Sequence, residues 1–392
     1  MPQDLTNFDQ ALKIWYGPRM NATVNEKRVL LSRLRRNADP TMVSGKQVTI
    51  PVNIRGSQSL GARSGAGPTP APQRQTIVEM RVQMNYLYGT IQFDLPTILA
   101  SRNDAGAFAR VMDSEMKGIR RDAQNDLNRQ MFGDSLGSLG TVNGAVTAST
   151  AVTLDTGHKV KAGMIVDIYT DNSGDPSTTR TVDSVQVTAT TATTATMGAA
   201  ITCGDGEHFI REDARGQELL GLDAIVDDDT GSIYQISRAT YPEWQSNEVN
   251  AASAPLSLDL MQEAWTDAEE NGEGEISLGV TDYTQWRKYG NLLVGDRRFP
   301  TALTLDGGFV ALDFNGKPIV PDRDCQSQRL YFLDESTFTI YEMTAGWQWD
   351  ETDGRILHKV SRQAAYEALL YNFCELACDD PKNNSRIVSL AA

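Results

Sequence analysis

The sequence is short of the residues that catalysis and metal binding draw on. It has three histidines (His158, His208, His358) and four cysteines (Cys203, Cys325, Cys374, Cys378) in 392 residues. With so few bases and no serine elbow, a nucleophile triad has nothing to stand on. There is no CxxC pair. Cys374 and Cys378 with His358 give three ligands where structural zinc takes four, so the two thiols read better as buried hydrophobes on one face of a strand. Residues 43–47, VSGKQ, lack the first glycine and the hydroxyl of a phosphate loop. Asp227, Asp229 and Gly231 suggest a calcium loop, but the glycine is misplaced and Arg238 stands where the twelfth-position glutamate belongs. A turn or a salt-bridge patch is the favoured reading there. No apolar run approaches 18 residues, and MPQDLTNFDQ has neither the basic start nor the apolar core of a signal peptide. The few scattered cysteines fit an intracellular chain with reduced thiols. No catalytic residue, cofactor, metal or membrane partner is expected.

What is present starts with residues 104–132, which read as one long amphipathic helix. Phe108, Met112, Met116, Ile119, Ala123, Leu127 and Met131 recur every three or four residues as one apolar stripe. Asn103 or Asp104 can cap its start, and Gly133 ends it. Such a rod is roughly 40 Å long. Gly106 and Gly118 weaken it, so it needs tertiary cover.

Charge is unevenly spread. The chain carries −15 overall. Residues 1–75 hold 11 Lys/Arg against four Asp/Glu, a net of +7, which leaves −22 for the remainder. The acidic total argues against a surface that grips nucleic acid throughout. The split suggests a basic arm laid on an acidic body, its own or a neighbour's.

In chain order, residues 1–24 look like an extended arm anchored by Trp15 and Tyr16, and 25–36 like a short basic helix. Val48, Ile50, Val52 and Ile54 alternate as a strand, which Pro51 restricts to an edge. Residues 56–75, GSQSLGARSGAGPTPAPQRQ, form a flexible basic tip. A second strand is expected over 76–95, so 46–95 reads as a long two-stranded hairpin. After a linker at 133–144, residues 145–212 turn threonine-rich and nearly free of aromatics, with short strand patterns. This reads as a small inserted all-β domain, barrel-like. Residues 255–270 read as a helix with Leu256, Leu260, Ala264, Trp265 and Ala268 inward. A strand, a helix over 282–290 and β-rich sequence to Gly346 follow. Asn315-Gly316 is the strongest hairpin turn signal. Periodicity over 361–392 fits helix and strand equally.

This order of parts resembles the major capsid proteins of tailed bacteriophages, with the Hong Kong-type shell fold that encapsulins share. FNGKPIVPDRDC followed by RLYFLD looks like that family's turn and paired strands. NFCELACDDPKNNSRIVSLA looks like its last peripheral-domain strand and closing segment. The resemblance covers nearly the whole chain apart from 145–212. It implies an α+β shell fold with an N-terminal arm (1–40), an extended β-hairpin loop (41–95), a long spine helix (96–140), an inserted β domain (141–212), peripheral pieces (213–254 and 347–392) and an axial domain (255–346). It makes residues 364–378 a strand.

The function so implied is a major capsid protein that self-assembles into an icosahedral shell around double-stranded DNA. Pentamers and hexamers of the chain, a scaffolding protein, a portal protein, a possible decoration protein and DNA held without sequence specificity are the implied partners. The virion, and the host cytoplasm during assembly, are the implied locations. Arg33, Arg35, Arg36, Arg55, Arg63 and Arg74 are the candidate inter-subunit contacts, with Asp227, Asp228 and Asp229 as acidic partners. Some relatives cross-link through a hairpin lysine. The tip here has arginines only, so non-covalent locking is expected. The rival readings are an encapsulin-like shell protein and, from another class, a monomeric β-rich binding protein working through 145–212.

Overall fold

A computed structural model describes residues 28–37, 43–44, 47–64, 67–96, 105–172, 175–272, 274–295, 302–304, 310–343, 346–351 and 354–392. The expected arm over 1–24, its anchors Trp15 and Tyr16, and the caps Asn103 and Asp104 lie outside these. Among the described residues no helix is long and apolar enough to cross a membrane.

The helix Ala105–Gln130 runs for 26 residues, as its apolar spacing requires. Its last turns are the best covered, with Leu127 and Met131 buried. Asn128 is buried too. Its amide donates to Asp322 (3.2 Å) and Asp324 (3.0 Å), and its carbonyl accepts from the Leu31 N–H (3.4 Å). The basic helix is shorter than its pattern, Val29–Arg33, because Arg35–Asn37 leaves as a strand parallel to Phe338–Glu342.

The tail is the strand Ala365–Cys378, the centre of a six-stranded sheet. On one side it pairs with Asn85–Asp94 over ten residues. On the other it takes Phe338–Glu342, Gln348–Trp349 and His358–Lys359 in turn. The long helix lies across this sheet. Gly89 permits the approach: a Cβ there would stand 3.2 Å from Ile119 Cδ1.

That pairing corrects the expected hairpin. The second strand does not run unbroken over 76–95. Thr76–Gln83 pairs with Gln47–Arg55, and after Met84 the chain turns into the tail's sheet. The ribbon therefore spans 47–83. Its expected apolar face is real: Val48, Met80, Val82 and Met84 are buried and Ile50, Val52 and Ile54 partly so. The cover comes from the chain's own Tyr234 region, and the Arg81 N–H donates to the Tyr234 carbonyl at 3.1 Å. Residues 56–64 and 67–75 contain no strand or helix.

A mixed seven-stranded sheet has the order Asn247–Asn250, Ser385–Val388, Leu330–Leu333, Leu278–Thr281, Lys317–Pro321, Val310–Phe314, Ala302–Thr304. Helix Leu258–Asn271 packs on it through Met261, Ala264, Trp265 and Ala268. Its Ser257 cap accepts from the Leu260 N–H at 3.2 Å. Asn315 and Gly316 turn Val310–Phe314 back into Lys317–Pro321 with φ of 50° and 79°, the left-handed pair a two-residue hairpin demands.

Residues 140–211 form a separate six-stranded sheet, in the order Gly140–Thr141, His208–Arg211, Ile165–Asn172, Asp175–Thr190, Thr194–Cys203, Val146–Thr153. A bridge between Val142 and Leu154 brings its two edges together. Its own core holds Leu139, Val152, Val166, Ile168, Val187 and Phe209.

Candidate assembly surfaces

The arginines singled out by sequence separate into three groups. Arg33 is half-buried and forks onto both carboxylate oxygens of Glu335, the second bond at 2.6 Å. Ser277 Oγ also donates to Glu335 at 2.9 Å, so this pair ties the short helix to the body. Arg55 forks onto Glu243 at 2.6 and 3.0 Å and lies over the Tyr241 ring at 5.6 Å. Arg35 and Arg36 sit on a strand paired within the chain, their side chains outside the described ones. Arg63 and Arg74 stand exposed on the tip. So Arg33 and Arg55 are engaged within the chain, and among the described residues Arg63 and Arg74 of the tip make no ion pair.

The three aspartates also divide. Asp227 bonds Arg386 Nη2 at 3.0 Å, while Asp228 and Asp229 are exposed. Arg386, buried and absent from the sequence candidates, also donates to Asp223 (2.8 Å) and Glu248 (2.6 Å). Carboxylate oxygens of Asp227, Asp228 and Glu248 lie within 4.8 Å of one another. Two of the three already neutralise the guanidinium. Asp227 therefore sits in a salt-bridge network around Arg386, whereas Asp229, its companion in the sequence pattern, is exposed.

The histidines and cysteines are all in structural positions. His208 is buried, with its ring between Ser138 Oγ (3.0 Å) and Asp171 Oδ1 (3.2 Å). His158 Nε2 meets the Thr191 carbonyl at 3.0 Å and His358 Nε2 that of Asp350 at 3.2 Å. All four cysteines are buried and none is in a disulfide. Burial pushes the Cys203 thiol up to about 11 and also raises those of Cys325 and Cys378 well above the ordinary thiol value. His358 pairs opposite Glu367, seven residues from Cys374 along the tail strand and so roughly 20 Å away.

Two features carry polarity that the sequence did not announce. An open cleft of about 270 Å³ at the foot of the ribbon is lined by Arg81, Asn85, Glu218, Tyr234 and Glu375 among others. Glu375 accepts from Asn85 Nδ2 (2.6 Å) and from the N–H groups of Leu220 and Leu376 (2.9 Å each). Burial pushes its carboxyl well above the usual glutamate range. Beside it, Arg129 bridges Glu218 and Asp126. Burial works against the Asp126 charge, but Arg129 and Arg211 hold that carboxyl well below its ordinary value. The signal for Glu375 was its place as a lone acid in the apolar run LLYNFCELAC. The second feature is an exposed aromatic row: Tyr86 and Tyr88 project from the sheet at 44% and 60% exposure, beside Phe373 and Tyr371.

No family model matches the sequence, and no curated protein does. Solved structures do match. A chain of the Cyanophage A-1(L) capsid asymmetric unit superposes with a TM-score of 0.59 at 12% identity, over 96% of each chain. The capsid of an empty GTA particle gives 0.52 at 8% identity, over 99% of this chain and 98% of that one. The SrpI encapsulin of Synechococcus elongatus PCC 7942 gives 0.50 at 9% identity, over 100% and 96%. At such identities the likeness is one of fold, and it runs the full length. The chain has the mixed α/β fold of these capsid and encapsulin chains.

Proposed function

We infer that the chain is a major capsid protein, which self-assembles into the icosahedral head shell of a tailed phage around double-stranded DNA. The observation that carries this is the end-to-end match to the cyanophage capsid chain at 0.59, covering 96% of both. The ribbon supports it: its tip is bare and basic, as an element covered by a neighbouring subunit would be.

In this reading Ala105–Gln130 is the spine helix and the tail sheet with residues 213–246 is the peripheral domain. The expected bounds of 213–254, 255–346 and 347–392 shift, because Asn247–Asn250 and Ser385–Val388 pair into the seven-stranded sheet and Phe338–Glu342 into the tail sheet. The seven-stranded sheet and its two helices form the axial domain around five- and six-fold centres. Residues 140–211 are an inserted domain. Its two ends are neighbours, since Gly140 pairs with Phe209, so it can be added without disturbing the rest. Arg63 and Arg74 reach a neighbour's acidic surface, where Asp228 and Asp229 are exposed. Arg35 and Arg36 remain candidates for the same role. Scaffolding and portal proteins, a decoration protein on the β unit, and DNA bound through phosphates alone complete the partners. Assembly would take place in the host cytoplasm.

A nanocompartment shell is the second reading, favoured by the encapsulin match at 0.50. Sedimentation of the purified chain, with negative-stain microscopy of the fast fraction, tests both. Closed shells or rings of five or six are expected. Nuclease-protected DNA within shells made in infected cells separates phage from nanocompartment. A clean monomer at high concentration, with and without co-expressed phage proteins, overturns both readings.

A further inference from the structure

We propose that the β unit (140–211) braces the joint between the long helix and the seven-stranded sheet, and that Lys159 is the cation it supplies to a pair of buried aspartates there. The proposal needs no second copy and stands apart from the shell reading.

The joint turns on one side chain. Asn128, near the end of Ala105–Gln130, donates through a single nitrogen to Asp322 at 3.2 Å and to Asp324 at 3.0 Å. Both aspartates are buried, and they follow directly on the strand Lys317–Pro321. The Asp324 N–H donates to Asp322 Oδ1 at 2.9 Å, so the two carboxylates share one small space. The short basic helix hangs on the same groups, since the Leu31 N–H donates to Asn128 Oδ1. Two acids around one neutral amide make a poor joint. Burial raises the Asp322 carboxyl above its ordinary value, and the Asp324 charge adds to that. A buried pair of like charges is costly unless a cation offsets it.

On the sheet's own side, Arg323 Nε stands 3.5 Å from Asp324 Oδ1, with its side chain 44% exposed and therefore screened by water. The β unit brings a drier cation. Lys159 Nζ donates to the Arg323 carbonyl at 2.6 Å. Burial pushes its ammonium below the ordinary lysine value, and Asp324 is the largest charge working the other way. Out of water, such an attraction is screened little and acts beyond hydrogen-bond distance. The seat is close as well. Gly157, with φ of 89°, lies against Ser327, where a Cβ would stand 2.6 Å from Oγ.

A second foot stands on the helix. Arg211, at the end of His208–Arg211, donates to Asp126 Oδ1 at 2.9 Å, one turn or less from Asn128. The unit thus holds the helix at Asp126 and the sheet's loop at 323–327, with the joint between them. Its hydrophobic core is its own, so polar contacts at the two feet carry the bracing.

The test is hydrogen exchange on the full chain, kept unassembled at low concentration. In Lys159→Met the amides of Asp324 and Leu31 should exchange about tenfold faster. Leu31 is the sharper probe, since it is bonded to Asn128 and not to Lys159. Arg211→Met should speed the Leu31 amide too. In an Asp324→Asn background Lys159→Met should have a much smaller effect, because the charge that Lys159 answers is gone; lost packing alone would cost the same in both backgrounds. Exchange unchanged in either single variant, or an equal effect of Lys159→Met with and without Asp324, overturns the proposal. If Lys159→Met does not fold, its pair with Asp324→Asn should, and a pair that also fails to fold overturns it.

Discussion

The ribbon (47–83) and the β unit (140–211) are written in the same local language and end in opposite states. Both are antiparallel strands with alternating apolar residues. The β unit has six strands, enough to curl until Val142 meets Leu154, which leaves it a closed core and little free edge. The ribbon has two full strands and a two-residue third, Val43–Ser44. Two strands cannot enclose anything. One face leans on the Tyr234 region, the other leaves Ile77 63% exposed, and the tip stands clear. Alternation decides which side of a strand is apolar. The number of strands available to close decides whether the element stabilises itself or borrows its cover.

The sharpest break of this comparison is excision. Joining residue 56 to residue 75 should abolish closed shells, read by sedimentation, while subunit unfolding in urea shifts by less than about 0.5 kcal/mol, because among the described residues the tip's hydrogen bonds stay within residues 57–73. Equal loss of subunit stability would mean that the tip belongs to the fold.

Next comes the core that the β unit owns. Phe209→Ala should cost about 3–5 kcal/mol of local stability. Hydrogen exchange should show lost protection confined to residues 140–211, with the tail sheet protected as before. Spread of the loss into residues 365–378 would show the unit to be part of the main core.

A smaller, pH-dependent effect is expected at the ribbon's foot. Burial raises the Glu375 carboxyl in the folded chain. Between the unfolded glutamate value, about 4.3, and that raised value, the native state holds a proton that the unfolded state has lost. Stability therefore falls as pH rises through this window. Glu375→Gln, which keeps an acceptor for Leu220 and Leu376 but sets an amide against the Asn85 Nδ2 donor, should lose less stability in urea between pH 4 and pH 8 than wild type does. A variant that loses as much stability as wild type over this range would show that the Glu375 carboxyl does not set the slope.

Several elements were legible because one local rule spoke alone. The long helix followed from its stripe, the Asn315-Gly316 hairpin from a turn that few other residue pairs allow, and the β unit from its threonine-rich alternation. The tail was not legible by pattern. Residues 365–378 have apolar positions that suit either period, and the resemblance chose the strand that the sheet requires. The break at Met84 was missed because alternation continues through it; only the change of partner, from Gln47–Arg55 to the tail, marks the boundary.

The candidate contacts show the same limit. Charge counting found the basic first 75 residues and the acidic remainder, which is a property of composition. It could not tell that Arg33 faces Glu335, 302 residues away, or that Asp227 faces Arg386, while Arg63 and Arg74 are left bare. By itself the sequence determined the helix stripe, the strand faces, the turn and the charge split, because each depends on residues close along the chain or on counts. Tertiary structure alone decided which arginines are spent within the subunit, which tyrosines are uncovered and where Glu375 is buried. Those outcomes depend on which distant strand arrives as a neighbour, and short-range spacing carries no record of that.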